Sequence, residues 1–355
     1  MSFFSNILPI KPFITLILVL NSIVGVTQSK GSFYGIVGIG NLVPHKAITR
    51  HLQEDLSYNI ELGWNIKLAE TDCHALYNKP IIGVYGQYAN SGNKDLIGNI
   101  YSLSTYGLIP LGKGDSPLYF GTGYGIGFIQ KTFDLINNPT NNAIGSRINA
   151  NLLLMLQKDF NILDRSQLIA RFGISHYSNA SFKTPNLGLN YIYFSFGYKL
   201  NTYTVDKKSA INITDKLTYS KWNTSISTIF GSKENTQPLG DRYNVIGLTA
   251  QQEYRSSFKS SWVTSLDLLY NQAIRDISGN SFQSGLHLAY FINFDKIRGG
   301  FGLGTYLFNP PEIAKIYHKL TVDHRLTNKI NLQIQLKLHK TSADFITAGI
   351  EYTFR

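Results

Sequence analysis

The sequence predicts an all-β protein, a membrane-spanning outer-membrane β-barrel of about sixteen antiparallel strands, and three observations carry that prediction. Segments of about ten residues with alternating apolar and polar side chains recur along the chain, separated by connections rich in Gly, Asn, Pro and Ser, the pattern of strands with one apolar and one polar face. Charged residues make up only 15 % and aromatics 13 %, with 31 Gly and 22 Tyr, which suits many short strands and tight turns better than helices. Beyond the N-terminal segment, no run approaches the ~18 consecutive apolar residues that a membrane helix needs.

Residues 1–29 read as a secretory signal. Lys11 precedes the apolar run Phe13 to Leu20, a second run covers Ile23 to Val26, and the small residues Thr27 and Ser29 are placed for cleavage. The chain is therefore expected to be exported. Its single cysteine, Cys73, has no partner for an internal disulfide or a cysteine metal cluster. The formal charge of +11 favours an anionic partner, which for an exported protein includes a lipid or polysaccharide surface. No nucleic-acid motif accompanies that charge.

Candidate strands of the first half lie near 32–40, 56–69, 80–89, 97–111, 117–131, 146–159, 166–178 and 189–201. Those of the second lie near 217–230, 242–255, 258–271, 282–293, 296–308, 316–325, 329–339 and 343–354. Along 166–178, Leu168, Ala170, Phe172 and Ile174 share one face, and Gln167, Arg171, Gly173 and Ser175 the other. Along 329–339, Ile330, Leu332, Ile334, Leu336 and Leu338 oppose Asn331, Gln333, Gln335 and Lys337. The apolar faces are large, free of charge and flanked by Tyr and Phe, which fits an outward lipid belt around a polar interior better than the soluble-sandwich alternative. Long connections interleave with short ones, so the stretch 176–190 falls at an external loop between strands seven and eight.

The two halves read as diverged eight-stranded repeats, 30–201 and 217–355, joined by a polar linker at 202–216. Residues 191–200 align with 345–354 in polarity and phase. Gly121, Gly123, Gly125 and Gly127 share one strand face, as do Gly300, Gly302 and Gly304, with spacings that match no nucleotide-binding loop and suit close packing around bulky interior neighbours. Two architectures follow: tandem eight-stranded barrels, or one sixteen-stranded barrel made by duplication. The partner of strand 217–230 separates them, 343–354 for the tandem form and 189–201 for the single barrel.

Strand phase also locates the candidate chemistry. His176 and Ser178 continue the outward series of strand seven, and Asn190 shares the outward face of strand eight with Ile192, Phe194 and Phe196. Polar groups turned toward hydrocarbon are costly and mark function. A serine becomes a nucleophile when an imidazole takes its proton, and a third group should hold that imidazole in the productive tautomer. Asn190 can do so through its side-chain oxygen, without a carboxylate's charge, and Asn179 is placed to donate to an oxyanion. His339 is in phase with the inward Lys337 and Gln335, so it is read as non-catalytic. His45, His51, His74, His287, His318 and His324 show no metal-ligand spacing, and neither a metal nor another cofactor is expected.

The stretch His176-Tyr177-Ser178-Asn179-Ala180, followed by Lys183, Pro185-Asn186 and Gly188, resembles the PagL family of lipid A 3-O-deacylases over roughly residues 31–200. The resemblance implies an eight-stranded outer-membrane barrel and a serine esterase removing an acyl chain from lipid A of lipopolysaccharide. It assigns the base to His176, the nucleophile to Ser178 and a place near the oxyanion hole to Asn179. The family's acidic triad member falls at Asn190, where this sequence departs. The competing expectation is a non-enzymatic lipid-binding or pore barrel in the same membrane whose site has decayed. The family barrel leaves residues 217–355 unexplained.

Overall fold

The computed structural model describes residues 31–354 apart from 45, 68–75, 78–79, 113–116, 164, 202–218, 235–237, 276–278, 295, 311–313 and 341. The signal reading of 1–29, the linker 202–216, Cys73, His45 and His74 lie outside the described residues. In chain order the strands of the first half are β1 (Gly31–Leu42), β2 (Ser57–Lys67), β3 (Ile81–Asn90), β4 (Asn99–Pro110), β5 (Leu118–Ile129), β6 (Ile148–Leu163), β7 (Ser166–Ser178) and β8 (Leu189–Asn201). Those of the second half are β9 (Trp222–Glu234), β10 (Arg242–Arg255), β11 (Ser260–Asn271), β12 (Phe282–Phe294), β13 (Ile297–Phe308), β14 (Ile316–Arg325), β15 (Ile330–His339) and β16 (Ser342–Phe354).

Each half closes on itself. β1 pairs with β8, with Val37 opposite Phe196, and β9 pairs with β16, with Phe230 opposite Ala348. The pairing of β9 is the one that defines tandem barrels, and the single sixteen-stranded alternative is set aside. No described helix is long and apolar enough to cross a membrane, which leaves strands free to do so.

Phase is as the alternation requires. Phe194, Phe196, Phe230, Leu303 and Ile350 are exposed on the outside, while Arg171, Ser195, Lys199, Asp267 and Glu351 are buried within. Apolar outside and polar inside is the reverse of a soluble core and is the order of a membrane-spanning barrel. Aromatic side chains collect at the two ends. The Tyr88 and Tyr101 rings meet at a tilt, 5.5 Å apart, at the long-loop end of the first barrel, and Trp222–Tyr254 (4.8 Å) and Trp262–Tyr290 (5.0 Å) meet at the short-turn end of the second. These are the positions of membrane-interface girdles.

Eight strands enclose a space that side chains can fill. In the first barrel Arg171 binds Glu61 at 2.6 Å and Gln157 at 2.8 and 2.9 Å, Tyr34 donates to Glu61 at 2.7 Å, and Lys199 pairs with Asp159. In the second, Asp267 meets Lys319 and Tyr317, and Arg298 meets Asp323 and Glu351. The glycine rows make room for this filling: a Cβ at Gly127 would lie 2.5 Å from the Tyr177 ring, and one at Gly304 would lie 2.2 Å from the Tyr317 ring.

Two strands run well past their expected ends. β9 runs over 222–234 instead of 217–230, because the polar run Ser232-Lys233-Glu234, read as loop, stays in the ladder opposite Asn244, Tyr243 and Arg242. β6 continues past 159 to Leu163, because its Asp159 points inward to Lys199 and preserves the alternation.

Candidate active site

His176 and Asn190 are register partners across the β7–β8 ladder. Directly opposed residues project to the same face, and here His176 Nδ1 lies 2.6 Å from Asn190 Oδ1. An amide oxygen only accepts, so Nδ1 carries the proton and Nε2 is the basic nitrogen. Ser178 ends β7 two residues further along the same face and is 9 % exposed. His176 and Ser178 share this face without a direct hydrogen bond among the described contacts. On β6, Leu152 and Ala150 stand opposite His176 and Ser178, so the side chain next to the serine is a small one.

The inward residue between them fixes the phase. Tyr177 is 1 % exposed, its hydroxyl is 3.0 Å from Ser102 Oγ, and its ring meets Tyr191 edge-on at 6.2 Å. Around these rings Leu42, Leu52, Ile97, Ile129 and Ile144 form a core that closes the long-loop end of the barrel. With a large aromatic anchored inside, a one-residue slip that would turn His176 inward is strongly disfavoured.

The connection 179–188 is built by residues of the quoted motif. Asn179 donates from Nδ2 to Ser146 Oγ at 2.7 Å and to the Lys183 carbonyl at 2.9 Å, and its Oδ1 accepts from the Lys183 N–H at 3.2 Å. Its backbone N–H donates to Asn186 Oδ1 at 2.9 Å. Asn186 also bridges to Ile144, and Gly188 N–H donates to the Ala143 carbonyl at 3.0 Å. Gly188 holds φ +77°, and a Cβ there would stand 2.7 Å from His176 Cε1. Glycine is thus required twice, by the backbone angle and by the imidazole lying against it.

The structure brings His176, Ser178 and Asn190 to one outward face at the long-loop end. Asn179 stands beside them with both amide hydrogens committed to the loop. His339, expected to point inward, lies within the second barrel with Nε2 2.8 Å from the Tyr306 hydroxyl and Nδ1 3.6 Å from Asp344. Sequence reading missed Ser146, which receives the Asn179 amide; a serine in a polar loop carries no signal of its own. Below the site the outward register pairs Ile174–Ile192, Phe172–Phe194 and Ala170–Phe196 form an apolar track, with the two Phe rings 5.0 Å apart.

Fold and site together define a protein of two closed eight-stranded barrels of the outer-membrane type, with a serine, a histidine and an asparagine on one outward strand face. Residues 58–199 match the family model for lipid A 3-O-deacylase (PagL), and residues 221–355 match the model for the acyloxyacyl hydrolase C-terminal domain. The chain belongs to the lipid A 3-O-deacylase (PagL) family. No curated protein matches it. Among solved structures, a triple-mutant porin of Rhodopseudomonas blastica is 8 % identical, with 92 % of this chain and 100 % of that chain covered, at a TM-score of 0.18. The Pseudomonas aeruginosa siderophore receptor PirA is 8 % identical, with 93 % of this chain and 81 % of that chain covered, at 0.25. At such TM-scores the architecture rests on the strand pairing of this chain alone.

Proposed function

We propose that this protein is an outer-membrane serine esterase that removes an ester-linked acyl chain from lipid A. The observation that carries the reading is the meeting of His176 with Asn190 at 2.6 Å on the lipid-facing side, with Ser178 on the same face and an apolar track beneath. The outer-membrane placement is supported by the apolar exterior, the two aromatic girdles and the family match. The site lies at the girdle end of the barrel, the depth at which a membrane lipid carries its ester bonds. An acyl chain would lie along Ile174, Ile192, Phe172 and Phe194 with its carbonyl carbon at Ser178.

In the reaction, Nε2 of His176 takes the Ser178 proton as the hydroxyl oxygen attacks the ester carbonyl, and later delivers it to the leaving sugar oxygen. Water then cleaves the acyl-serine by the same base, releasing a fatty acid. Asn190 keeps the proton on Nδ1 throughout. Asn179, the amide nearest the nucleophile in sequence, meets the oxyanion by releasing one Nδ2 hydrogen from Ser146 or Lys183. The pore alternative is disfavoured by the filled lumens. Arg171 with Glu61 and Gln157 crosses the first lumen, and Asp267 with Lys319 and Tyr317 crosses the second. The test is release of a hydroxy fatty acid from lipopolysaccharide by purified protein in detergent, and its loss in Ser178→Ala.

A further inference from the structure

The loop that follows Ser178 is held from outside its own barrel. Ala180 and Ser181 take left-handed backbone angles, φ 52° and 63°, which L-residues keep only where their surroundings impose them. Those surroundings include the rim of the second barrel. Glu234, the last residue of β9, donates its backbone N–H to the Ser181 carbonyl at 3.0 Å. Its carboxylate accepts the Thr184 hydroxyl at 2.9 Å and also the Thr184 backbone N–H. Glu234 and Thr184 are 7 % and 8 % exposed. Beside them Ser181 Oγ donates to the Ala343 carbonyl at 2.9 Å, and Arg242 donates to the Phe182 carbonyl at 3.0 Å with its guanidinium 3.9 Å over the Phe182 ring.

The barrels are also fastened at the other end. Tyr77, between β2 and β3, donates to the Asn293 carbonyl and sets its ring 5.2 Å from Phe294. With contacts at both ends, the second barrel cannot tilt away from the loop without breaking one set. The loop matters because Lys183, next to Thr184, binds Asn179 through both backbone groups, and Asn179 directly follows the nucleophile. A carboxylate that accepts two donors from one residue is directional and charge-assisted, so it sets where that residue stands.

We propose that Glu234 is a positioning residue for the Ser178–His176 site of the neighbouring barrel, which makes the second barrel a working part of the esterase. This rests on the esterase reading above. Glu234 touches no reacting atom; it acts by holding 181–184, and through Lys183 it holds Asn179 and the end of β7.

The test uses the full chain in detergent with lipopolysaccharide. Glu234→Ala is expected to lower kcat about 10- to 30-fold with KM within about 2-fold, since small misplacements act on chemistry more than on binding. Glu234→Gln, which keeps an acceptor oxygen, recovers most of that loss. Thr184→Val, which leaves the second barrel untouched, lowers kcat about 5-fold, and adding it to Glu234→Ala costs nothing further because one interaction is shared. Amide exchange at 181–184 quickens in Glu234→Ala whether or not the protein turns over. Wild-type release that survives Glu234→Ala unchanged overturns the proposal alone. No release by the wild type, or unchanged release by Ser178→Ala, removes the esterase reading and the proposal with it. If Glu234→Ala does not fold, Thr184→Val carries the test, and a wild-type kcat in that variant overturns the proposal.

Discussion

His176 Nδ1 and Asn190 Oδ1 meet at 2.6 Å because the two residues face each other across one rung of the β7–β8 ladder. The imidazole is therefore oriented by a neutral acceptor fixed by strand pairing. This arrangement holds the tautomer as a carboxylate would, but in the proposed mechanism it gives less stabilisation to the imidazolium of the attack step.

Charge at that position should then limit the rate. Asn190→Asp is expected to raise kcat about 10-fold at neutral pH, and Asn190→Ala to lower it about 10- to 100-fold. Both are read from fatty-acid release under saturating lipopolysaccharide. An aspartate variant no faster than the parent would mean that the missing charge is not limiting.

Ser178→Ala and His176→Ala should each reduce release to near background, a loss of about 1000-fold or more, and the double variant should be no worse than either. Additive losses would show that the two residues do not act as a unit. The variants should keep the folded, heat-modifiable gel mobility of the parent, since neither side chain fills a lumen.

Gly188→Ala tests the ring contact. The left-handed angle costs an alanine about 1–2 kcal/mol, and its Cβ would press on His176 Cε1. Urea unfolding in detergent should shift by about that amount, while activity falls further, about 100-fold, as the imidazole is displaced. A fall in stability with intact activity would show that the ring does not need this seat.

Ser146→Ala removes the acceptor of one Asn179 hydrogen bond. A freed Nδ2 hydrogen would be available to the oxyanion, so kcat should fall by less than about 5-fold, whereas Asn179→Ala should lower it about 100-fold. Equal losses in the two would assign Asn179 to loop structure alone.

Planar-bilayer recordings check the filled lumens. The parent protein should show no steady conductance, because paired charges and tyrosines occupy both interiors. Stable unitary steps would restore the pore reading.

The sixteen strand segments, their phase and the candidate residues were legible in sequence because strand periodicity is local: a serine at i+2 from a histidine shares its face whatever the strand pairs with. The same logic placed His339 inward, where it meets Tyr306 and Asp344. It failed at Ser232-Lys233-Glu234, where polarity looks like loop. There Lys233 pairs with Asp344 and Glu234 with Thr184, partners 111 and 50 residues away. Ser146 was invisible for a like reason, since its value comes from Asn179, 33 residues on.

By itself, then, the sequence determined the alternation and the outward face of His176, Ser178 and Asn190. Tertiary structure alone decided that β9 closes on β16, that His176 and Asn190 share a rung, that Gly188 lies against the imidazole, and that a carboxylate of one barrel grips the 179–188 connection of the other. The division is physical. Side-chain direction follows from the pleat of a single strand, whereas register, closure and loop contacts are choices among distant partners, settled only when the whole chain packs.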